Sequence, residues 1–478
     1  LADDLPASGA GAIDPGRERV IVVGGGVAGL VLARRLALGG RDVTMVEASD
    51  HLGGTVSRHT VGGIDLDAGA ESFATRGGTV GRLAKSLGLA DDLVEPNPVG
   101  AWLQTAAGAA FQLPANSLLG IPGVPLAADV IAIVGTRAAL RGSLDVLMPG
   151  TYASKAGTVG ELVRKRMGSV ILDQLVRPII RGVHSADADE LKVDQVAPGL
   201  LSTMVRTGSL GHAVLELRAN SARAGSAVAG IRGGVVRLVD ALAADLARFG
   251  VTVLLNSRAT EIAYDHVVVG GQRLDGQVVV AAPGLSRGLG GPVEAATTRG
   301  HRVVLATLVV DQPLLDAAPR GTGVLVAEGT SGIRARALTH STAKWAWLAE
   351  RAGGKHVLRL SYDAGNTGNA SDTGNAGNTG DADDDAAVAG IAGGDPTELA
   401  EIARLDAAAL LGVEIAPSQV IDFARAAWYR PSRETHTPDG ILAVGESIAG
   451  TGLASVVAQS EALAERLLAD ADGSPGLR

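Results

Sequence analysis

Cysteine is absent from all 478 residues. That excludes disulfide bridges, thiolate nucleophiles and cysteine-ligated metals. The nine histidines are scattered, without the His-x-x-x-His or His-Glu-x-x-His spacing of a zinc site. Aromatic residues make up only 3% of the chain, against 46% hydrophobic residues in all. The apolar content is therefore mostly Ala, Val and Leu, in helices rich in small residues. No uninterrupted apolar run approaches the roughly 20 residues that span a bilayer. Positive charge is sparse too: the net charge is −9 and no segment carries a dense Lys/Arg stripe, which argues against a nucleic-acid partner. Redox chemistry, if the chain performs it, must come from an organic cofactor.

What the chain does have is length and glycine. Its size calls for two or three domains, and it carries 66 glycines. The first 16 residues are rich in Ala, Gly and Pro and read as a flexible tail without the pattern of a signal peptide. The expectation is a cytoplasmic protein with at most peripheral membrane contact.

The most informative stretch is residues 19–54. An apolar run, Val20-Ile21-Val22-Val23, turns into Gly24-Gly25-Gly26-Val27-Ala28-Gly29. A helical pattern over 30–38 follows, then a second strand over 42–46 that ends on Glu47 and Ala48. Gly24 permits the tight turn, Gly26 lets a pyrophosphate approach the backbone, and Gly29 lets helix and strand pack closely. The amides at the helix start face the phosphates, and Glu47 is placed to accept from ribose hydroxyls. Strand, Gly-x-Gly-x-x-Gly turn, helix, strand and acid together predict a dinucleotide site.

Further along, a β-like segment covers 61–67 and a helix 79–89. Residues 100–220 read mainly as helix, with apolar spacing over 126–140 and 159–180. Thr158 and Glu161 have capping-box spacing, and Pro178 is expected to end or kink its helix. A helix over 235–248 and strands over 251–255 and 277–283 return to the character of the opening unit. Strands are expected over 302–308, 323–326, 336–347 and 357–362, with Trp345 and Trp347 alternating onto one face. Residues 363–388, built largely of Gly, Asn, Thr, Ala and Asp, read as a flexible loop. A helix over 396–411 precedes a closing strand, Gly-rich turn and helix over 440–469.

Three later features favour FAD over NAD. Gly53 and Gly54 sit a short loop beyond Glu47. The run Val278 to Pro283 reads as a second strand signature of the nucleotide unit. Gly445-Glu446 and Gly450-Thr451-Gly452-Leu453 place another helix N-terminus where its dipole would stabilise a reduced, anionic flavin.

At this point the chain resembles the amine oxidase and protoporphyrinogen oxidase group of flavoproteins. Within that group it is most similar to bacterial coproporphyrinogen III / protoporphyrinogen oxidases. The resemblance is carried by residues 22–47, 52–54, 67–73, 113–119, 178–187, 233–242 and 337–345. The Asp67-x-Gly69-x-Glu71-Ser72-Phe73 element and Gly182-Val183-His184-Ser185-Ala186 discriminate most. It implies an α/β fold: a Rossmann-like FAD-binding domain assembled from 17–90, 225–300 and 415–470, a mixed-sheet substrate domain from 91–115 and 301–414, and a helical subdomain over 116–224.

The resemblance also implies a chemistry. FAD would be held non-covalently, and a porphyrinogen would be oxidised to a porphyrin in three two-electron steps, with oxygen as acceptor and hydrogen peroxide as product. No catalytic side chain is implied, because pyrroles activate the substrate and the protein positions it and excludes water. Position by position, Gly24 to Gly29 would take the phosphates and Glu47 the ribose. Gly53, Gly54, Thr55, Gly69, Ala70, Glu71 and Ser72 would line the cofactor, and Ala259 would meet the adenine. Trp428, Gly445, Glu446, Thr451, Gly452 and Leu453 would flank the ring. An anionic tetrapyrrole needs cations, for which Arg76 comes first, then Arg181 and Lys344. His184 reads as a packed histidine. Partners would be the small-molecule tetrapyrrole and other heme-pathway enzymes that receive the product.

Some positions depart from that pattern. Thr55 stands in place of a basic residue, residues 429–439 are short and polar, and Leu453-Ala454 stand where a proline is usual. Coproporphyrinogen III oxidation leads, with protoporphyrinogen IX oxidation, an amine oxidase-like activity and a degenerate FAD carrier as open alternatives.

Overall fold

The computed structural model describes residues 19–184, 187–223, 228–281, 291–292, 300–364, 395–431 and 441–471. Of the two segments read as flexible, 1–16 and 363–388, only Asp363 and Ala364 fall within the described residues, at the end of a strand.

The opening strand β1 (Arg19–Val23) is central in a five-stranded sheet because both its faces are apolar and buried. Helix α1 (Val27–Leu38) crosses to β2 (Asp42–Val46), which lies parallel to β1. Thr252–Leu254 pairs on the outer side of β2. On the other side of β1 lie β3 (Gln277–Val280) and then Leu442–Ala443, again parallel. Helix α1 is buried nearly all round, from Val27 to Leu36. Its other neighbours are Val236–Arg248 and the closing helix Leu453–Ala471. Gly39, just past its end, has no room for a side chain: a Cβ there would lie 2.3 Å from Leu468 Cδ2. Segments from the start, middle and end of the chain thus share one core, as a discontinuous nucleotide fold requires.

The second sheet has seven strands. Three long strands, β4 (Gly300–Val310), β6 (His356–Ala364) and β7 (Val420–Pro431), are joined by the short β5 (Ala337–His340). The order is β7-β4-β6-β5, followed by Gly323–Val326, Trp102–Gln104 and Ala110–Gln112. It is mixed, because Gly323–Val326 runs parallel to Trp102–Gln104 while the other pairs are antiparallel. Helix Pro396–Leu411 covers one face and buries Leu308, Leu358 and Leu360.

Two expectations change here. Residues 415–470 do not form one unit: β7 pairs with β4 along eleven positions of the second sheet, and only the chain from Leu442 joins the first. Residues 336–347 are not one strand either. Strand β5 ends at His340, and helices Ser341–Lys344 and Ala346–Ala352 follow. Trp345 therefore stands as the N-cap of a helix, buried against Val61 and Leu66, with no alternation to Trp347.

The described elements between Ala128 and Arg223 are helices, and they have their own core. Thr158 caps Val159–Arg166 by accepting from the Glu161 amide at 3.2 Å. Pro178 does not end its helix. A wide π turn, Leu172–Val176, precedes Arg177–His184 and lets the chain run through the missing amide. Short strands Ser117–Leu118 and Ile121–Pro122, inside the stretch read as mainly helical, form a small hairpin. No described helix is long and apolar enough to cross a membrane.

Candidate active site

The glycine turn sits at the carboxyl end of β1. Gly24 takes φ +109°, and a Cβ on Gly29 would lie 2.0 Å from the Gly24 carbonyl oxygen. Gly26, the N-cap of α1, is different: a Cβ there would meet nothing within 4 Å. No side chain caps α1 and no acid lies in its first turn. Its free amides and dipole therefore face open space that suits an anion. The Glu47 carboxylate stands beside them, accepting from the Gly25 amide at 2.6 Å and from the Ser49 amide and hydroxyl at 2.8 and 2.7 Å.

The second glycine pair folds back onto this turn. Gly53 donates to the Gly25 carbonyl oxygen at 2.8 Å, and a Cβ on Gly54 would lie 3.4 Å from Gly26 Cα. The next layer is the segment after strand Ile64–Asp67, where a Cβ on Gly69 would lie 2.0 Å from the Thr55 carbonyl oxygen. Ala259 comes close from the other side: Ser257, two residues before it, donates to the Glu47 carbonyl oxygen at 2.8 Å. From the far end of the chain, Gly445 (φ +120°) approaches α1, its Cβ position 3.8 Å from Ala28 Cβ. The short helix Glu446–Ala449 touches β7, the strand that carries Trp428. Gly452 (φ +101°) then opens the helix that begins at Leu453, with no acid in its first turn. Thr451, beside it, is exposed. The glycine turn, Glu47, Gly53, Gly54, Thr55, Gly69, the chain before Ala259 and Gly445 thus come together at the carboxyl end of β1, and this lining fits a dinucleotide.

One face of the second sheet turns toward this site. Directly paired residues share a face, so Val303 and Trp428 lie together, as do Leu305, Ser361 and Ala426, and Thr307, Arg359 and Ala424. Arg359 shows where the face points. Its guanidinium donates to the carbonyl oxygens of Ala68 and Gly69 at 3.2 and 2.5 Å and to Glu71 Oε2 at 3.1 Å.

Glu71 is the centre of a charge cluster. It also accepts from Lys344 Nζ and Ser341 Oγ, each at 2.8 Å. Burial alone would raise its pKa, but Lys344 and then Arg359 hold it down to about 2. Asp67, four residues earlier, accepts from the Val235 and Val236 amides at 2.9 Å and so caps helix Val236–Arg248. Burial pushes Asp67 up to about 6, against those two amides and Arg359. His59 is pushed down to about 4 by burial and by Arg359.

The candidate substrate cations fare unequally. Lys344 is committed to Glu71 and lies over the Trp345 ring, 5.0 Å from its centroid. Arg181 pairs with Asp187 Oδ2 at 2.9 Å and with Glu328. Neither stands as a free cation for an anionic ligand, and the reason is the same: each has carboxylates of the chain itself within reach. Arg76 falls in the turn Arg76–Gly78 beside the Glu71–Phe73 element, and its side chain, like that of His184, lies outside the described residues. Arg359, Ser341 and the capping role of Asp67 escaped sequence reading. A single arginine inside the apolar run Val357 to Tyr362 was the available signal.

A split dinucleotide fold with a helix N-terminus at each end of the cofactor bed and a facing mixed sheet defines a flavoprotein oxidoreductase. Residues 27–286, more than half of the chain, match the flavin containing amine oxidoreductases, and the chain belongs to that family; its cofactor is FAD. It is 27% identical over 368 residues to a coproporphyrinogen III oxidase of Propionibacterium freudenreichii subsp. freudenreichii, covering 68% of this chain and 70% of that one. It is 25% identical over 364 residues to a coproporphyrinogen III oxidase of Staphylococcus aureus, covering 72% and 77%. A solved structure assigned as a protoporphyrinogen oxidase from Exiguobacterium sp. 255-15 shares the fold, with TM-score 0.76, 19% identity and 95% and 99% of the two chains covered. Putrescine oxidase bound to putrescine shares it more loosely, at TM-score 0.59 and 18% identity over 96% and 99%.

Proposed function

We propose that the chain is an FAD-dependent porphyrinogen oxidase of heme biosynthesis that converts coproporphyrinogen III to coproporphyrin III. Oxygen is the electron acceptor and hydrogen peroxide the product, one peroxide for each two electrons and two protons removed from the macrocycle. The observation that carries this reading is the length of the likeness to coproporphyrinogen III oxidases. It covers about seven-tenths of both chains, more than the cofactor-binding segments alone could supply.

Bound FAD supplies the hydride acceptor. The chain's own residues bind, orient and exclude water. Gly24 to Gly29 and the start of α1 hold the phosphates, Glu47 the ribose, and Ala259 the adenine side. Gly53 to Thr55, residues 69–72 and the Gly445 to Leu453 turn enclose the ring. On one face of the second sheet Val303, Leu305, Ala426 and Trp428 form an apolar run, beside Ser361 and Arg359, against which an apolar macrocycle can lie. Arg76 is the candidate partner for its carboxylates, since Lys344 and Arg181 already face Glu71, Asp187 and Glu328.

The test is a steady-state assay of FAD-loaded protein with coproporphyrinogen III, protoporphyrinogen IX and a panel of amines. Porphyrin fluorescence and peroxide release are read together. The expected result is fluorescence gain fastest with coproporphyrinogen III. No gain with either porphyrinogen overturns the reading, and turnover of an amine replaces it.

A further inference from the structure

Two cations and two carboxylates are packed together where the second sheet meets the first unit: Lys344, Arg359, Asp67 and Glu71. All four are largely withdrawn from solvent; the side chains of Arg359, Glu71 and Lys344 are 6%, 14% and 17% exposed. Desolvating such groups is costly, and only close pairing and hydrogen bonding recover the cost. Simple domain fastening could be done with apolar side chains, as Val309 and Val357 of the second sheet do nearby in one cluster with Val61, Ile64 and Leu66. The place of this cluster is what makes it informative.

Its contacts run in one direction. Arg359 holds the carbonyl oxygens of Ala68 and Gly69. Gly69 packs on the Thr55 carbonyl, and Gly54 packs on Gly26 at the head of α1. The same segment is pinned at its start by Asp67 on the amides of Val235 and Val236. At its other end Glu71 is held by Lys344, Arg359 and Ser341. The backbone of residues 68–71 is therefore set from the second sheet, and it in turn backs the loop on the dinucleotide turn.

We propose that Lys344 and Arg359 are positioning residues of the flavin site, acting through Glu71 and the backbone of residues 68–69 to seat FAD and set its reduction potential. The seat follows from the chain of contacts to Gly26. The potential follows from charge: removing one member leaves its counter-charge uncompensated in a low-dielectric region beside residues 69–72. This rests on those residues lining the flavin and not on the identity of the substrate.

The experiment measures FAD affinity and reduction potential on holoenzyme without substrate, so its outcome is independent of porphyrinogen turnover. Arg359→Gln is expected to raise the Kd for FAD at least tenfold, with Arg359→Lys recovering part of the loss because one ammonium can still reach a carbonyl. Glu71→Gln leaves the cations in excess and is expected to raise the potential; Lys344→Met leaves a carboxylate in excess and is expected to lower it. Opposite signs are the signature a merely structural cluster would not give. Should Arg359→Gln fail to fold, the Glu71 and Lys344 pair still decides. Potentials that move in the same direction or stay put, with FAD affinity within twofold of the parent, overturn the proposal and leave only a domain fastener.

Discussion

Arg359 and Glu71 lie 288 residues apart, on the second sheet and on the segment that backs the dinucleotide turn, and their side chains meet at 3.1 Å. This ion pair ties the two halves of the site together, and its electrostatics set how the fold responds to acid. Glu71 is held well below its ordinary value, at about 2. The stability it contributes is present above the unfolded value near 4.5 and is lost as pH falls from there toward 2. Asp67 has the opposite sign. Raised to about 6, it contributes stability that is complete below the unfolded value near 3.8 and is lost as pH rises through 6. Thermal melts from pH 3.5 to 7 are expected to show both limbs: Glu71→Gln flattens the fall at the acid end, and Asp67→Asn flattens the change between about pH 4 and 6. Parent-like profiles in both variants would refute the assignment.

Gly26 and Gly29 separate folding from cofactor binding. A Cβ at Gly29 would collide with the Gly24 carbonyl at 2.0 Å, whereas one at Gly26 has free space around it and an ordinary backbone, φ −68°. Gly29→Ala is expected to damage both the fold and FAD retention. Gly26→Ala is expected to leave the apoprotein melting temperature within about 2 °C, since the new methyl meets no protein atom. Its FAD affinity should fall at least tenfold because the methyl stands where phosphate approaches. Melting of apoprotein beside flavin absorbance of repurified holoprotein distinguishes the two.

These two glycines also show why the cofactor half of the site was legible in the sequence. The turn, the helix start and Glu47 lie within a few dozen residues, so local spacing encodes their geometry. Arg359 is different. Its position opposite Ala68, Gly69 and Glu71 depends on the register of β6 against β4 and β5 and on the docking of two sheets, which no local pattern records. Trp345 and Trp347 depart from the strand that their spacing predicts for a related reason. The alternating pattern looks like a strand, but Ser341 turns its hydroxyl to Glu71 at 2.8 Å and the chain goes helical there. A tertiary contact overrides local periodicity. The division of residues 415–470 between two sheets is likewise a matter of pairing partners, and the run Val420 to Trp428 fits an edge strand of either.

Arg166 lies at the centre of the helical region, fully buried, with Asp145 as its ionic partner and the carbonyl oxygens of Asp145, Pro149 and Gly208 accepting its remaining donors at 3.1, 2.8 and 3.1 Å. Asp145 in turn accepts from Ser209 Oγ and the Gly211 amide at 2.7 and 3.0 Å. Removing the arginine leaves a buried carboxylate and several carbonyls unmatched. Arg166→Ala is expected to cost about 3–5 kcal/mol, seen as a lower urea midpoint of the helical region. Arg166→Met, which refills the volume, does not restore it, because Asp145 stays unpaired.

Arg181 tests the corrected view of the substrate cations. The family resemblance implies that it is a partner of a tetracarboxylate, yet Asp187 and Glu328 both reach its guanidinium. A substrate carboxylate would have to displace one of them, and the exchange of one carboxylate for another gains little. Arg181→Ala is therefore expected to change KM for coproporphyrinogen III by less than twofold while lowering the melting temperature, since it frees Glu328 from the helix Arg177–His184. Arg76→Ala is the contrast: with no such role assigned to Arg181 or Lys344, loss of Arg76 should raise KM at least fivefold with kcat largely retained, the pattern of lost ground-state binding. KM and kcat measured for both variants with the same substrate decide between them. A large KM effect at Arg181 would mean that Glu328 swings aside and that the guanidinium belongs to the substrate after all.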